Sequence, residues 1–531
     1  MSIYLGLDCS TQGLSATVIE IAPSSTRVVF ARAYRFDDLL PAYGTRHGVL
    51  PSPAPGVVHA PPSMWAEALD TVFGILVREA RIDWTALRAI SGSAQQHGTV
   101  YLNSDAARRL DALAPDRPLA GQVSGVLARP TSPVWMDTST AVECEEIESA
   151  LGGPGAAALL TGSRCFERFS AAQIRRFAKQ DPGAYASTST IHLVSSWLAS
   201  LLAGRHAPID HADGSGMNLM TLSTREWSDA AIDATAPGLA SKLPPLAAPW
   251  TIVGTLHPFW IERHGLPAAR VAVWSGDNPC SLVGTGLVRP GTIAVSLGTS
   301  DTVFGAIEHP RPAADGTGHV FASPAGGYMG MTVFRNGSLA RERIRDAYGL
   351  DWTGFGAALR ATPPGNGGAM MVPWFEPEIT PVVGVPGVSR DALDAGDGPA
   401  NVRALVEGQM MTLALHTRWM GDPPAALHAT GGASAGRDIL QVMADVFDAT
   451  VVALPSRNSA ALGAALRAWY ADAAADGRPV AWPDVVRGFT EPVRRIDPVP
   501  AHVRVYRELL PRYAELQRRH RSAGSSAARP V

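Results

Sequence analysis

The amino-acid sequence predicts an α/β protein that is built from two domains. A chain of 531 residues is too long for one ordinary hydrophobic core, which favours two domains of roughly 250 residues each. Strand-like runs open the chain and recur near residue 270, and segments with helical periodicity follow each of them. In addition, GLDCSTQG (6–13) and SLGTSD (296–301) both place an apolar strand before a tight turn rich in Gly, Ser and Thr. Together these observations predict a duplicated fold.

Composition narrows the class of protein. An apolar fraction of 46% with 18% charged residues is typical of a globular enzyme. The formal charge of −3 gives no reason to expect nucleic acid or an anionic membrane surface as a partner. The four cysteines lie far apart without metal-ligand spacing, and we expect them to be free thiols. No signal peptide and no membrane-spanning run is evident, so we expect a cytoplasmic protein.

The elements of the first domain (1–265) follow from periodicity and β-branched content. Three strands come first, then a Pro-rich loop over 37–62, a helix over 64–81, a strand-like segment, and a mostly helical region over 139–205. The clearest of these pieces are SIYLGLD, SATVIEIA and TRVVFARAYRF for strands, RAISGSAQQHGTVYLN for the strand-like segment, and AAALLTG and TIHLVSSWLASLLAG for helices.

The second domain (266–500) has its own strands and helices. VAVWSGD, TIAVSLGTSDTVFG and ALHATGG are typical of strands, whereas VRALVEGQMMTLALHTRWMG, GRDILQVMADVFDA and SAALGAALRAWYAD are typical of helices. The last of these helices is rich in small residues and could pack closely on a neighbour. For the segment 501–531 we expect a C-terminal helix and then a disordered tail over the basic, low-complexity stretch 518–531.

The two Gly-, Ser- and Thr-rich turns favour phosphate binding. In each turn, backbone N–H groups and hydroxyls would converge on one small volume, which can hold phosphate oxygens without a lysine. One copy would be a hairpin turn and nothing more, but two copies, one opening each domain, favour a fold that holds one nucleotide from both sides. The sequence has no GxxxxGK[ST] phosphate loop, no dinucleotide-binding G-x-G-x-x-G between strand and helix, and no HExxH zinc motif.

The stretch VWSGDNPCSLVGTG (273–286) raises a question that local pattern leaves open. Asp277 and Asn278 lie between an apolar run and a predicted helix, and Pro279 suits the first helical position. Asp and Asn are favoured helix N-caps. Most such aspartates cap a helix and do nothing else, so either a cap or a chemical role is compatible with the pattern.

Several motifs, taken in order, resemble the FGGY family of carbohydrate kinases. They are LGLDCSTQG, SGSAQQHG, PVWMDTST, LTGSRCFERFS, DGSGMNLM, GDNPCSLVG, AVSLGTSDTVF, FRNGSLARE and ATGGASAGRDILQVMADVF. The resemblance runs from Ile3 to about Trp469 and is greatest to members that phosphorylate xylulose. It implies two ribonuclease-H-like domains of the hexokinase and actin superfamily flanking a catalytic cleft. The sugar would lie mainly against the N-terminal domain and ATP mainly against the C-terminal domain.

The resemblance also implies roles on the sugar side. Asp277 would be the general base that takes the proton from the attacking sugar hydroxyl, and Asn278, His97 and Arg168 would bind the sugar. The helix N-terminus at Asp277 is expected to keep the carboxylate ionised at neutral pH. An ion pair between Arg168 and a carboxylate such as Glu167 stays an alternative interpretation.

On the nucleotide side the resemblance implies a further set of residues. Asp8 would hold Mg²⁺ through water, with Ser10, Thr11 and Gln12 forming the adjacent turn, Gly298 and Thr299 the matching turn, Gly431 and Gly432 the approach to adenosine, and Trp352 an adenine-side aromatic. Ala435 stands close to where the family commonly has an asparagine, so a hydrogen bond to adenine would be lost or replaced. Asp137 falls where relatives keep an acidic residue near the cleft.

The implied activity is ATP- and Mg²⁺-dependent phosphorylation of D-xylulose at the 5-hydroxyl. Ribulose, gluconate or glycerol as the substrate remains an alternative, as does a non-catalytic, ATP-gated sugar sensor on the same fold. A filament-forming relative of actin would leave the sugar-side motifs without a purpose. The expected partners are a small sugar and ATP, without nucleic acid or membrane, in a monomer or homodimer.

Overall fold

Two mixed sheets dominate the computed structural model, which describes residues 1–23, 25–52, 54–312, 317–455 and 458–527. Within these residues each sheet has seven strands. The strands of the first sheet, in spatial order, are Ile252–Thr255, Arg270–Ala272, Leu87–Ala94, Ser2–Cys9, Gly13–Ala22 and Ser25–Arg35, with Ser275–Gly276 paired to the end of Leu87–Ala94. The strands of the second sheet, in spatial order, are His319–Ala322, Tyr328–Phe334, Asp301–Ile307, Thr292–Leu297, Ala426–Thr430, Thr450–Ala453 and Arg494–Ile496.

The two sheets repeat one topology. In the first, Ser2–Cys9 pairs antiparallel with Gly13–Ala22 and parallel with Leu87–Ala94. In the second, Thr292–Leu297 pairs antiparallel with Asp301–Ile307 and parallel with Ala426–Thr430. The predicted two-domain α/β fold is therefore confirmed, and the two turns noticed in the sequence occupy corresponding places in the two sheets.

Shorter elements surround these sheets. Two-stranded sheets join His59–Ala60 to Ser132–Pro133, Thr99–Leu102 to Thr190–Leu193, Ile209–Asp210 to Leu246–Ala247, Met220–Thr221 to Glu226–Trp227, and Met370–Trp374 to Gly387–Asp391. The α-helices are Phe36–Leu39, Pro62–Glu79, Ala106–Asp111, Leu119–Val123, Ala141–Ala150, Pro154–Thr161, Ser170–Gln180, Pro182–Ser187, Val194–Ala203, His211–Gly214, Asp229–Thr235, Pro258–His264, Asp277–Gly284, Ser338–Ala347, Trp352–Ala361, Gly398–His416, Arg437–Phe447, Ser459–Ala475, Trp482–Val486 and Pro500–Ala527. Among the described residues, no helix is long and apolar enough to cross a lipid bilayer.

We call the part of the molecule built around the first sheet the first half, and the part built around the second sheet the second half. Two helices, Asp277–Gly284 and Ser459–Ala475, pass between these halves, and we call them the crossing helices. A Cβ atom on Gly284 would lie 1.9 Å from the carbonyl oxygen of Ser459, and one on Gly463 would lie 1.8 Å from that of Cys280. Only glycine allows the two backbones to touch in this way. The predicted close packing of the small-residue helix is confirmed, and the first crossing helix starts directly after the strand Ser275–Gly276.

Three details differ from or qualify the sequence predictions. Residues 190–193, predicted as the start of a helix, form a strand because TIHL pairs with Thr99–Leu102, and the helix begins at Val194. The C-terminal helix continues to Ala527 and so enters the stretch predicted to be disordered, whereas 528–531 lie outside the described residues. The predicted boundary at 265/266 falls between two strands of the first sheet.

Candidate active site

The two hairpin turns predicted to bind phosphate lie at corresponding ends of the sheets. In the first turn, the Ser10 hydroxyl donates to the carbonyl of Gly13 (3.1 Å), and Thr11 and Gln12 are at least partly exposed. In the second, the Ser338 N–H donates to the carbonyl of Gly298 (2.9 Å), and Thr299 is exposed. Both turns thus leave polar groups of the predicted residues available to a ligand.

Asp8 lies at the end of the strand that leads into the first turn and is 3% exposed. Its Oδ1 accepts from the Ser93 hydroxyl (2.6 Å), and its Oδ2 accepts from Asn458 Nδ2 (3.0 Å). Burial raises the pKa of this carboxyl, and these two neutral donors offset only part of the effect. Within the described residues, Asp8 has no cationic partner within 4 Å.

Asn458 was not singled out by sequence reasoning. Its side-chain Oδ1 accepts the N–H of Ala461 (2.9 Å) and so caps the second crossing helix, while its Nδ2 reaches Asp8. An asparagine before a small-residue helix is a readable N-cap signal. The contact with a carboxylate 450 residues away is set by the crossing of the helices, which local pattern does not reveal.

Asp277 is the first residue of its crossing helix, and Gly276 occupies the N-cap position. Its Oδ1 accepts from the N–H and from Nδ2 of Asn278 (2.8 and 3.0 Å). Burial, with the negative charge of Asp8 as the next cause, raises the pKa of Asp277 to about 8. The prediction that the helix N-terminus keeps Asp277 ionised at neutral pH is therefore wrong, since a helix of 8 residues offsets too little of this cost.

A third carboxyl, that of Asp213 in the DGSGMNLM motif, is buried and acts electrostatically on Asp277. Its Oδ2 accepts from the Ser195 hydroxyl (2.5 Å), and burial raises its pKa to about 7. Its charge in turn raises the pKa of Asp277. The motif was noticed in the sequence, but the aspartate within it was not assigned a role.

Asn278 is oriented by Gln96, the residue before His97. Asn278 Nδ2 donates to Gln96 Oε1 (2.9 Å). The side chain of Gln96 is buried and packs directly on the backbone of Gly276, where a Cβ atom would lie 2.5 Å from its Cγ. This close packing limits the conformations that Gln96 can adopt. With its amide hydrogens directed at Gln96 and Asp277, Asn278 presents its Oδ1 as the acceptor for a donor in the cleft.

His97 is buried in a left-handed backbone conformation (φ 72°) that is uncommon outside glycine. Its Nδ1 lies 2.8 Å from the carbonyl oxygen of Gly216, which can only accept, so Nδ1 carries the proton. The ring stacks on Phe169 with centroids 4.2 Å apart. Burial lowers the pKa of His97 to about 3, so the ring is neutral and its Nε2 is an acceptor.

Arg168 lies among aromatic rings beside His97. Its guanidinium carbon is 5.0 Å from the ring centroid of Phe166 and 5.6 Å from that of Phe169. Burial lowers its pKa to about 10, which leaves it charged at neutral pH. The alternative interpretation, an ion pair with Glu167, is not formed: within the described residues no carboxylate lies within 4 Å of the Arg168 nitrogens.

Asp137 is fully buried and saturated with protein donors. Its Oδ2 accepts the N–H of Val58 (2.9 Å), and its Oδ1 accepts from the N–H of Ser139 (2.9 Å) and from Gln173 Nε2 (2.8 Å). It therefore ties the Pro-rich loop to the helix Ser170–Gln180. Trp135, two residues earlier in the same motif, is 46% exposed and donates from Nε1 to Thr11 Oγ1 (2.7 Å), a position that sequence reasoning missed.

Three of the predicted adenosine-side residues line a cavity of about 500 Å³. Gly431, Gly432 and Ala435 border it together with residues of both crossing helices. A Cβ on Gly431 would lie 2.6 Å from the Leu297 carbonyl oxygen, whereas Gly432 has open space around it. The first glycine is thus required by the adjacent hairpin strand, and the second leaves room for a ligand.

Trp352 stands apart from this cavity lining. It is 49% exposed at the start of the helix Trp352–Ala361, with the guanidinium of Arg345 4.6 Å from its ring centroid. That helix is joined by an ion pair between Arg360 and Asp438 to the helix that follows the glycine pair. The ion pair lies at the opposite end of the helix from Trp352, and the predicted contact of Trp352 with adenine stays a prediction.

Two sheets of one topology, with polar turns and carboxylates beside them, form the two-domain actin- and hexokinase-like fold. Models of the C-terminal and N-terminal domains of the FGGY family of carbohydrate kinases match residues 293–471 and 131–284. The chain is 40% identical over 525 residues to a xylulose kinase of Rattus norvegicus, covering 97% of this chain and 96% of the relative.

Other relatives agree. Xylulose kinase 2 of Arabidopsis thaliana is 41% identical, covering 88% of this chain and 87% of the relative. A ligand-bound xylulose kinase from Lactobacillus acidophilus superposes with a TM-score of 0.82, covering 99% of this chain and 100% of that one at 17% identity. The chain belongs to the FGGY family of carbohydrate kinases, and the family implies the use of ATP.

Proposed function

We propose that the protein transfers the γ-phosphoryl group of ATP to the 5-hydroxyl of D-xylulose, with Asp277 as the general base. The observation that carries this proposal is the convergence of Asp277 and Asn278, at the start of a crossing helix, with Asp8 beside the first phosphate turn. The substrate is proposed from the xylulose kinases of Rattus norvegicus and Arabidopsis thaliana, which are similar over most of this chain.

The geometry supports distinct tasks for the sugar-side residues. His97 Nε2 and Asn278 Oδ1 are acceptors for sugar hydroxyls, and Arg168 offers charged donors. Asp277 would take the proton of the attacking hydroxyl. A pKa of about 8 suits this task, because a base works best when its pKa is near the operating pH.

The buried carboxylate of Asp8 fits a divalent cation. It presents hard oxygen atoms and no cationic partner among the described residues, and Mg²⁺ typically takes one or two carboxylates while keeping several waters. No cluster of three or more His, Cys, Asp or Glu side chains suited to a metal exists in the described part of the chain. The proposed role of Asp8, holding the cation through water, is the one that the family resemblance implies. When bound, Mg²⁺ would neutralise charge on the transferred phosphoryl group.

Closure of the two halves would exclude water from this site. The crossing helices meet at Gly284 and Gly463 with their backbones in contact, so few side chains would have to rearrange when the halves move. Water competes with the sugar as an acceptor of phosphoryl. Small-angle scattering with D-xylulose and a non-hydrolysable ATP analogue should show compaction, and an unchanged radius of gyration would contradict closure.

The deciding experiment is ADP release by the purified protein with Mg-ATP. The sugars to compare are D-xylulose, D-ribulose, L-ribulose, L-xylulose, gluconate, glycerol and D-arabinitol, with a sugar-free control. We expect the largest kcat/KM with D-xylulose. Another preferred sugar would move the substrate but keep Asp277 as the base, and ATP binding without turnover on any sugar would favour a sensor.

A further inference from the structure

The outer strand of the second sheet, His319–Ala322, is bonded to the first half of the molecule. The N–H of Val320 donates to the carbonyl of Gly162 (2.9 Å), and the N–H of Ala322 donates to the Ser215 hydroxyl (3.1 Å). Gly162 has a φ of 91°, and a Cβ there would lie 2.1 Å from the Val320 carbonyl oxygen. The backbone at this junction is therefore built for the contact, and it places His319 against the predicted sugar site.

His319 is buried between two polar partners of the first half. Its Nε2 is 3.3 Å from Nη2 of Arg168, and its Nδ1 is 3.1 Å from the Ser163 hydroxyl. A guanidinium has no acceptor, so Nε2 must accept, and Nδ1 then carries the proton and donates to Ser163. His319 is consequently a neutral imidazole in one tautomer, with both nitrogens used.

The surroundings of Arg168 give this hydrogen bond particular weight. The rings of Phe166 and Phe169 attract the guanidinium but supply no directional acceptor. Within the described residues, the contact with His319 is the one hydrogen bond that Arg168 makes. The ring of His319 also packs on Phe166, with centroids 4.8 Å apart, so its own position is fixed.

We propose that His319 is a positioning residue for sugar binding: its Nε2 orients Arg168, and the sugar pocket of the first half therefore depends on the outer strand of the second. The inference rests on the proposed role of Arg168 as a sugar ligand. It deepens the proposed function, because it names a residue that belongs to the half predicted to hold the nucleotide. In this arrangement, any movement of the second half also moves His319, the residue that orients the sugar-binding Arg168.

The first test compares His319→Phe with His319→Gln. Phenylalanine keeps the ring packing but removes both hydrogen bonds, whereas glutamine keeps an acceptor close to the place of Nε2. We expect His319→Phe to raise KM for D-xylulose about tenfold, as for the loss of a hydrogen bond to a charged group, with KM for ATP within about twofold. His319→Gln should recover most of the loss. The proposal would be overturned if both variants raised KM by the same factor for D-xylulose as for ATP.

His264→Phe is a matched control. His264 is also largely buried, lies near the rings of Phe73 and Trp260, and contacts Asp70 (2.9 Å). It lies in the first half, outside the predicted site. We expect a comparable loss of thermal stability and an unchanged KM for D-xylulose. If His319→Phe does not fold, Ser163→Ala, which removes the acceptor of Nδ1–H, should raise the same KM to a smaller extent, and no change would count against the proposal.

A double-mutant cycle with Arg168→Ala separates positioning from general damage. Binding of the preferred sugar is measured by calorimetry for wild type, both single variants and the double variant. If His319 acts through Arg168, His319→Phe should add little to Arg168→Ala, whereas independent effects that multiply would overturn the proposal. A wild-type preference for another sugar would correct the substrate alone, and the cycle would use that sugar. Unchanged sugar binding by Arg168→Ala would overturn both roles.

Discussion

The two hairpins repeat one shape, but their aspartates have opposite surroundings. Asp301, which begins the strand after the second turn, forms two hydrogen bonds with the fully buried guanidinium of Arg341 (3.0 and 2.9 Å). Asp8, the penultimate residue of the strand before the first turn, receives only the neutral donors Ser93 and Asn458. The duplicated fold thus contains one neutralised carboxylate and one whose charge lacks a partner among the described residues.

This difference predicts that Asp301 contributes to stability, whereas Asp8 contributes to function at a cost in stability. A buried charge without a counter-charge costs several kcal/mol, whereas a paired charge is costly only when its partner is removed. The first half bears that cost at Asp8, and its neighbour Asp277 shares it through the raised pKa. A cation at Asp8 would relieve this cost, whereas Asp301 already has its cation in the chain. The following variants test this contrast, from the largest expected effect to the smallest.

Asp277→Asn should lower kcat by about 10²–10⁴-fold, because an amide cannot accept the proton of the sugar hydroxyl. Binding of D-xylulose, measured by calorimetry without ATP, should stay within a few-fold of wild type. Asn278→Ala is the matched control, since we expect it to weaken sugar binding more than turnover. Turnover retained in Asp277→Asn would exclude Asp277 as the base.

Asp301→Asn should reduce the free energy of unfolding by about 3–5 kcal/mol, because it leaves Arg341 buried without its counter-charge. Chemical denaturation followed by circular dichroism measures this loss. Glu376→Gln is a suitable control: its ion pair with Arg343 is about half exposed, and its loss should cost under about 1 kcal/mol. Similar losses for both variants would show that Asp301 is no more important to stability than a surface carboxylate.

Asp8→Asn should give the reverse pattern. We expect the Mg²⁺ concentration for half-maximal activity to rise about 10–100-fold, in the range found when groups that support a metal site are altered. Stability should be unchanged or higher, because a buried charge without a partner is removed. Activity would be titrated with Mg²⁺ at fixed ATP. An unchanged Mg²⁺ dependence would place the cation elsewhere and end the contrast between Asp8 and Asp301.

Much of the fold could be predicted because its strands carry a clear signal. The turns at 9–13 and 297–301 were recognisable because Gly, Ser and Thr follow apolar, β-branched runs. The short strand Thr190–Leu193 was missed because TIHL runs without a break into an apolar helix, and only its pairing with Thr99–Leu102 makes it a strand. Pairing partners nearly a hundred residues apart leave no local trace.

The sequence named candidate residues for the site but could not give their electrostatics. Motifs pointed to Asp277, His97 and Arg168, and the structure brings His97 and Arg168 together around Phe169. The supporting residues Asn458, Gln96 and His319 come from distant parts of the chain, so their contacts follow from the tertiary fold alone. The raised pKa of Asp277 has the same origin, because its causes are burial and carboxyls on other elements.

That pKa predicts how stability depends on pH, which is the smallest effect in the series. A carboxyl whose pKa rises from 3.8 in the unfolded chain to about 8 in the folded protein binds a proton only in the folded state between these values. Stability therefore falls as pH rises through this window. Asp277→Asn does not titrate, so in EDTA its advantage over wild type should grow from near zero at pH 4 to about 1–2 kcal/mol at pH 8.5, a value reduced because Asp277 is partly exposed.

The pKa of Asp70 is shifted in the opposite direction to that of Asp277, so its effect on stability has the opposite pH dependence. Burial acts to raise its pKa, but hydrogen bonds from His264 and Arg263 outweigh burial and lower it. Its contribution to stability is present above the unfolded pKa and is lost as pH falls, so Asp70→Asn should be increasingly harmful as pH rises from 3 to 6. Thermal melts over this pH series distinguish the two cases. If the curves for Asp277→Asn and wild type run parallel, Asp277 has an ordinary pKa and is ionised at neutral pH, and it does not share the cost of the uncompensated charge at Asp8.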